Sequence, residues 1–333
     1  MAENVVNVER GGVVESRHRV HVAVVDAEGR LRACAGEPDT VTFFRSAAKP
    51  FQALALVEDG AADRFGITAE EIALCCGSHS GEPRHVQTAQ RMLTKLGWDA
   101  EDLACGPHAP FDEGSRAELA EAGVEPVRVH NNCSGKHAGM VALARVHGWE
   151  PAEYHRPEHP VQGRVIAEVA RWVEMPAEAM VFGNDGCGVV CFALPLRNMA
   201  LAYAKLASAA RRGEHGPAAV VGAMTAYPEM VAGTGRLCTR LMRQSAGRLF
   251  AKVGAEGLYC VGVPGAELGI ALKVEDGSSR AVAPAALAVL RQLELIGEDD
   301  LGTLYDHAFP LLLNTRGETV GKITARIGLR TPR

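Results

Sequence analysis

Apolar and polar residues alternate in two widely separated parts of the chain, and this predicts strands in both. Residues 18–34, HRVHVAVVDAEGRLRAC, alternate on either side of a turn at 26–29, as in a β-hairpin. Residues 249–285 carry short apolar runs separated by the turn sequences VPGAE and EDGSS. The segment ETVGKITARIGL near the end has the same character. We therefore expect both ends of the chain to contribute strands.

Between residues 46 and about 212 the spacing of apolar positions changes to three and four, which is typical of one face of a helix. A further helix is predicted for residues 284–295, with Pro284 at its start, where a helix tolerates proline. The five segments with helical spacing in the central region are AKPFQALALVED, GEPRHVQTAQRMLTKLG, KHAGMVALARVHG, HPVQGRVIAEVARWVE and LRNMALAYAKLASAARRG.

Strands, then helices, then strands and a helix indicate an α+β fold. We expect both chain ends to form one antiparallel sheet, with helices packed on it and a helical lobe inserted in between. The predicted organisation is a single domain, 1–333, with a sheet lobe at 1–45 plus 246–333 and a mainly helical lobe at 46–245.

Composition narrows the class of protein. Apolar residues make up 47% of the 333 residues and charged residues 23%, with a net charge of −5, as in soluble globular proteins. Basic residues are dispersed, no run of eighteen apolar residues occurs, and MAENVVNVERGG lacks the features of a signal peptide. We expect a cytoplasmic protein that binds neither nucleic acid nor membrane. The nine cysteines lie in apolar contexts, which favours reduced thiols.

The tetrapeptide Ser46-Ala47-Ala48-Lys49 precedes one of the predicted helices and allows two interpretations. Residues three apart share a helix face, so Lys49 could take the proton of a nucleophilic Ser46. Serine is also a favoured helix N-cap, and Pro50 is tolerated only in a first turn. The tetrapeptide alone does not decide between the two.

Three polar loops connect the predicted helices: CCGSHSGEPRH (75–85), HNNCSGKHAGM (130–140) and FGNDGCGVVCF (182–192). Cys133 and Cys187 in the second and third loops are soft potential metal ligands, but no CxxC pair accompanies them. By spacing alone, thiols facing a core are the simpler interpretation.

Two other features remain ambiguous. The segment His155-Arg156-Pro157-Glu158-His159 matches the H-x-x-E-H spacing of some zinc peptidases, but its proline argues for a loop before a helix. Lys252, in a predicted strand and followed by small residues, suits either the wall of a cleft or an exposed edge strand.

Five motifs, taken in order, resemble one known family: FRSAAKPFQ, CCGSHSGE, NNCSGKHAGM, GNDGCG and KVGAEG. They are similar to the rhizobial-type, thermolabile (class 3) L-asparaginases, the asparaginase II family. S-x-x-K followed by K-x-G also resembles the wider serine β-lactamase, penicillin-binding protein and glutaminase superfamily. The resemblance implies a serine β-lactamase/glutaminase-like fold, hydrolysis of L-asparagine to L-aspartate and ammonia, and a homodimer.

The resemblance also assigns roles to individual residues. It implies two Ser-Lys pairs, Ser46 with Lys49 and Ser78 with Lys252. It implies a Zn²⁺ site that spacing did not reveal, and residues that contact the substrate or order the site. The implied metal ligands are Cys133, Lys136 and Cys187, and the implied substrate-site residues are Arg45, His137 and Asp185.

The sequence leaves two alternatives. One is another serine hydrolase with the same chemistry, a glutaminase or a penicillin-binding-type enzyme, although no S-x-N or Y-x-N motif lies between Ser46 and Lys252. The other is a non-catalytic, metal-bound ligand sensor, for which two intact Ser-Lys pairs would be unnecessary.

Overall fold

The computed structural model describes residues 3–332 and contains strands at both ends of the chain and in its middle. The strands are β1 Val5–Arg10, β2 Val13–Asp26, β3 Leu31–Ala35, β4 Val41–Phe43, β5 Val181–Asn184, β6 Val190–Pro195, β7 Phe250–Gly254, β8 Leu258–Val263, β9 Leu268–Val274, β10 Leu311–Leu313 and β11 Thr319–Arg326.

Helices occupy most of the central region and reappear after β9. They are α1 Lys49–Glu58, α2 Ala61–Arg64, α3 Ala69–Cys75, α4 Pro83–Leu96, α5 Glu113–Glu121, α6 Ser134–His147, α7 Pro160–Val173, α8 Leu196–Arg211, α9 His215–Ala226, α10 Pro228–Val231, α11 Leu237–Gln244, α12 Val282–Gln292, α13 Glu298–Thr303 and α14 Tyr305–Ala308. Within the described residues, no helix combines the length and apolar character needed to cross a bilayer.

The chain divides into two compact units, and the first, residues 3–42, 194–208 and 240–332, contains the large sheet. Its strand order is β10-β11-β1-β2-β9-β8-β7, and β3 pairs with β2. β1 runs antiparallel to β11, with Val5 opposite Arg326. The expected α+β fold, with one antiparallel sheet built from both chain ends, is therefore confirmed.

Helices cover the sheet of this first unit through small and apolar residues. α12 packs against β9 and β11 with a buried face that includes Ala285 and Val289. Gly269 in β9 is required for a close approach, because a Cβ there would lie 1.9 Å from the carbonyl oxygen of Ala200 in α8.

The second unit, residues 43–193 and 209–239, is mainly helical. α1 is its central helix, packed against α6, α7 and α9. The sequence of α1, KPFQALALVE, is apolar on nearly all sides, which is typical of a helix buried all round. This buried position places Lys49, the first residue of α1, inside the unit.

Some elements differ from the sequence-based expectations. The apolar pattern did not reveal β1, β4, β5, β6 or β10, which are three to six residues long. Lys49 is fully buried at the start of α1. Residues 155–159 form the predicted loop before α7, and His159 caps that helix.

Candidate active site

The segment before α1 is a short 3₁₀ turn, Arg45–Ala48. The residue before this turn is held in place by a hydrogen bond, in which the Phe44 N–H donates to the carbonyl of Phe192 over 2.7 Å. Arg45 has a left-handed backbone, φ 46°, which is uncommon for a residue with a Cβ and recurs at functional sites. Ser46 is half-buried and caps neither this turn nor α1 with its side chain.

The side chain of Lys49 lies at the centre of the site. It is completely buried, and its amine donates to the carbonyl of Gly77, to Ser78 Oγ at 3.0 Å and to Cys133 Sγ at 3.2 Å. Ser46 was expected to be the partner of Lys49, but no side-chain hydrogen bond joins these two described residues. The structure instead brings Lys49 together with Ser78, a pairing that the sequence did not suggest.

The loop that carries Ser78 is held from several sides. The Ser78 N–H donates to the carbonyl of Val231 over 2.9 Å, and the guanidinium of Arg236 donates to the carbonyl of Ser78 over 2.8 Å. Gly77 has no room for a side chain, because a Cβ would lie 2.4 Å from the carbonyl oxygen of Met230. The position of Ser78 is therefore set by backbone packing as well as by its contact with Lys49.

The three residues implied as metal ligands also meet. Cys133 and Lys136 lie one turn apart at the start of α6, and Lys136 Nζ is 2.9 Å from Cys187 Sγ. The hydrogen bond from Cys133, with help from Lys136, lowers the pKa of Cys187 to about 5. The same hydrogen bond and burial raise the pKa of Cys133 to about 12. Burial opposes the charged form of Lys136, but the neighbouring Cys187 and Cys133 raise its pKa overall.

The chemistry of these donors fits a zinc ion. Two buried sulfurs and one amine converge, and one of the sulfurs favours the thiolate that metal binding requires. Among residues 3–332, no group of three or more His, Cys, Asp and Glu side chains is arranged to hold a metal. A lysine amine that joined the two sulfurs around a metal ion would have to lose its proton to bind.

Arg45 and Asp185 form an ion pair beside this cluster. The guanidinium Nε is 2.9 Å from Asp185 Oδ1, which also accepts from the Gly186 N–H. Burial opposes the charge of Asp185, but the cations Lys136, Arg45 and Lys49 together hold its pKa below the ordinary value. The left-handed backbone of Arg45 and this carboxylate fix the arginine in one orientation.

His137 follows Lys136 on α6 and is completely buried. Its Nδ1 is 2.6 Å from the hydroxyl of Tyr154, while its Nε2 is buried and has no hydrogen-bond partner in the described part of the chain. Burial and the adjacent cation Lys136 lower the pKa of His137 to about 3, so the ring is neutral at physiological pH.

Lys252 belongs to the first unit, on β7, where it lies opposite Cys260 of β8. Its side chain is completely buried, and its amine donates to the carbonyl of Val253 over 2.8 Å. The alternative of an exposed lysine guarding an edge strand is therefore wrong, although β7 is the last strand of the sheet.

Sequence reasoning missed two residues of the site, Tyr154 and Arg236. Neither lies in one of the five motifs, and each reaches the site through a contact between distant parts of the chain. The only available signal for Tyr154 was its position in the loop before α7, directly ahead of the H-x-x-E-H segment.

One known protein family is similar to the chain over almost its whole length. The sequence profile of the L-asparaginase II family matches residues 6–325, nearly the whole chain. The chain belongs to the L-asparaginase II family. The resemblance inferred from the five motifs is thus confirmed at the level of the family, and membership of the L-asparaginase II family makes the chain an amidohydrolase.

Several solved structures are similar to this member of the L-asparaginase II family, at low identity. Mglu in its native form is 17% identical, with a TM-score of 0.43 over 85% of this chain and 67% of that one. A β-lactamase from Mycobacterium bovis is 14% identical, with a TM-score of 0.41 over 82% of this chain and 94% of that one. The octameric penicillin-binding protein homologue from Pyrococcus abyssi is 12% identical, with a TM-score of 0.41 over 90% of this chain and 79% of that one. The chain spans about two thirds of the length of Mglu. No curated protein sequence shows a significant match.

Proposed function

We propose that this protein hydrolyses L-asparagine to L-aspartate and ammonia through a serine acyl-enzyme. The observation that carries the proposal is the buried Lys49, whose amine contacts Ser78 Oγ and Cys133 Sγ at once. A lysine sequestered from water and bonded to a serine hydroxyl is the arrangement that Ser-Lys hydrolases use to move protons. Family membership supports asparagine as the substrate.

Ser46 is the proposed nucleophile, because it is half-buried while Ser78 is only 5% exposed. Ser46 Oγ attacks the side-chain amide carbon, Lys49 takes its proton, and a β-aspartyl ester forms as the C–N bond breaks. Proton-transfer contacts often tighten only when substrate is bound, so the missing Ser46–Lys49 hydrogen bond is compatible with this step. Ammonia leaves with a proton delivered through Ser78, and water then hydrolyses the ester. Lys252 is proposed as the fourth catalytic residue.

A second assignment of the nucleophile is favoured by the 3.0 Å contact between Lys49 and Ser78, since the base already touches that hydroxyl. In this version Ser78 carries the acyl group and Ser46 binds the substrate. Acid quenching during turnover, followed by peptide mass mapping, distinguishes the two. The aspartyl adduct is expected on the peptide that contains Ser46, and its appearance on the Ser78 peptide would reverse the roles.

We also propose Zn²⁺ as a cofactor held by Cys133, Lys136 and Cys187, with Arg45, Asp185 and His137 around the substrate. When bound, the ion would act as a Lewis acid and help to orient the substrate. The chain contributes a preformed pair of sulfurs, and the ion pair of Arg45 with Asp185 presents a fixed cation to a carboxylate of the substrate.

An ammonia-release assay with asparagine, glutamine and a chromogenic β-lactam tests the proposal. We expect release from asparagine, less from glutamine and no opening of the β-lactam. Activity on glutamine alone would indicate a glutaminase, and binding of asparagine without ammonia release would indicate a ligand sensor. The proposal includes a cytoplasmic homodimer, and light scattering of the purified protein tests the dimer.

A further inference from the structure

One ring nitrogen of His137 lacks a partner although the whole side chain is buried. Nε2 has no hydrogen bond within residues 3–332, whereas Nδ1 contacts the hydroxyl of Tyr154 at 2.6 Å. An unsatisfied buried polar atom next to a candidate active site requires an explanation, such as a ligand absent from the structure. What kind of ligand it could be depends on whether Nε2 is a donor or an acceptor.

The contacts of Tyr154 decide the direction of the bond to His137. The Ala104 N–H can only donate, and it lies 2.9 Å from the tyrosine oxygen. Burial raises the pKa of Tyr154 further above its ordinary value, so the hydroxyl keeps its proton and needs an acceptor. Nδ1 of His137 is the acceptor in reach. Because Nδ1 accepts this hydrogen bond it carries no proton, and the ring proton is on Nε2.

Tyr154 itself is fixed at both ends. The side-chain amide of the buried Gln162 donates to its backbone carbonyl over 2.9 Å. At the other end, the hydroxyl of Tyr154 accepts from the Ala104 N–H. The guanidinium of Arg128 donates to the carbonyls of Leu103 and Cys105 on either side of Ala104, and these two bonds hold the Ala104 N–H in place. This arrangement orients the hydroxyl of Tyr154 toward Nδ1 of His137.

From these contacts we infer that Tyr154 is a positioning residue that fixes His137 as an Nε2–H donor to an oxygen atom of the bound substrate. This inference rests on the proposed function, because the oxygen belongs to asparagine or to the aspartyl product. It also gives the loop before α7 a role other than a metal motif, because that loop carries Tyr154. A donor nitrogen at Nε2 cannot at the same time be a zinc ligand, so His137 remains outside the metal shell.

Kinetics of Tyr154→Phe test the role in activity. Removing the hydroxyl keeps the ring, and we expect kcat/KM for asparagine to fall about three- to tenfold, the loss of one neutral hydrogen bond. Tyr203→Phe is the matched control, a completely buried tyrosine in the first unit, and should stay within about twofold of the unmodified protein.

A double-mutant cycle separates positioning from a general structural effect. In His137→Gln the side-chain amide still donates a hydrogen bond, and its protons do not depend on a partner such as Tyr154. Adding Tyr154→Phe to this variant should therefore lower kcat/KM little further. If the two substitutions lower kcat/KM independently, so that their effects multiply in the double variant, the inference is overturned.

NMR of the protein labelled with ¹⁵N-histidine tests the tautomer without any turnover. We expect His137, assigned by its absence in His137→Gln, to carry its proton on Nε2 and to lose the hydrogen-bond shift of Nδ1 in Tyr154→Phe. A proton on Nδ1 in the unmodified protein would refute the inference even if Tyr154→Phe did not fold. If the protein releases no ammonia from asparagine, the proposed function fails, while this measurement still decides the state of His137.

Discussion

The amine of Lys49 lies 3.0 Å from Ser78 Oγ, although the two residues are 29 positions apart in the chain. Both side chains are buried, and the same amine also contacts Cys133, one of the proposed zinc ligands. One lysine therefore links Ser78 to the proposed metal site. Substitutions at Lys49 and Ser78 are expected to affect chemistry, whereas loss of metal is expected to affect substrate binding.

Ser46→Ala and Lys49→Met should each lower kcat at least about a thousandfold, and the double variant should be little worse, because a nucleophile and its base act as one unit. Methionine fills most of the volume of the buried lysine and limits the loss of stability. Rates of ammonia release check this, and thermal unfolding of each variant serves as the control for folding. Multiplicative losses in the double variant would count against a shared step.

Ser78→Ala should lower kcat about a hundredfold or more, the usual loss for a proton-transfer group. Ser80→Ala is the matched control: Ser80 is equally buried, but its hydroxyl donates to the carbonyl of Ala232 over 3.0 Å instead of contacting Lys49. We expect Ser80→Ala to cost about 1 kcal/mol of stability and little activity. Steady-state kinetics and denaturant unfolding measure both, and equal losses of activity would remove Ser78 from the mechanism.

Zinc should be present in the purified protein, and its removal should raise KM for asparagine by about ten- to a hundredfold while lowering kcat less. The reason is that Cys133, Lys136 and Cys187 offer a site for positioning substrate rather than for generating a nucleophile. Metal analysis before and after chelation, with kinetics at saturating asparagine, provides the measurement. Complete loss of turnover at saturation, restored by zinc, would show that the metal takes part in the chemistry.

Acid should destabilise the protein through buried neutral histidines. Burial, together with the neighbouring His85, holds the pKa of His79 well below its ordinary value of 6.5. Below pH 6.5 the unfolded chain takes up a proton that the folded chain does not, so the free energy of unfolding falls by up to about 1.4 kcal/mol per pH unit.

The variant His79→Gln isolates this effect, because glutamine can still donate to Ser134 Oγ, the present partner of His79 Nε2 at 2.9 Å. Denaturant unfolding at pH 7 and at pH 5 should give a smaller difference for the variant than for the unmodified protein. The same difference in both would assign the acid sensitivity to other groups.

Gly77→Ala should destabilise the loop that carries Ser78 by about 1–3 kcal/mol, as overpacking against rigid atoms does. The added Cβ would meet two backbone carbonyl oxygens, those of Met230 at 2.4 Å and Leu74 at 2.9 Å. Gly163→Ala, on the exposed side of α7 with no atom within 4 Å of the new Cβ, should be neutral or slightly stabilising. Thermal unfolding compares the two, and a neutral Gly77→Ala would mean that the loop can shift.

The sequence by itself determined the elements whose signal is local. Apolar spacing predicted α1, α4, α6 and α7, alternation predicted the β2–β3 hairpin, and the two regions of alternation predicted a sheet formed by both chain ends. These succeeded because a period of 3.6 or 2 is visible in a single segment of sufficient length. The five motifs identified the family for a similar reason, since short runs of polar residues around glycine can be compared one by one.

Only the tertiary structure decided which of these residues meet. The amine of Lys49 bonds to the hydroxyl of Ser78 rather than to that of its sequence neighbour Ser46, and Arg45 reaches Asp185 across 140 positions. Such contacts follow from how helices pack around α1, and packing depends on all the partners at once rather than on any one segment. The same reason explains why Tyr154, which belongs to no motif, becomes visible only when the folded chain places its hydroxyl between the Ala104 N–H and His137.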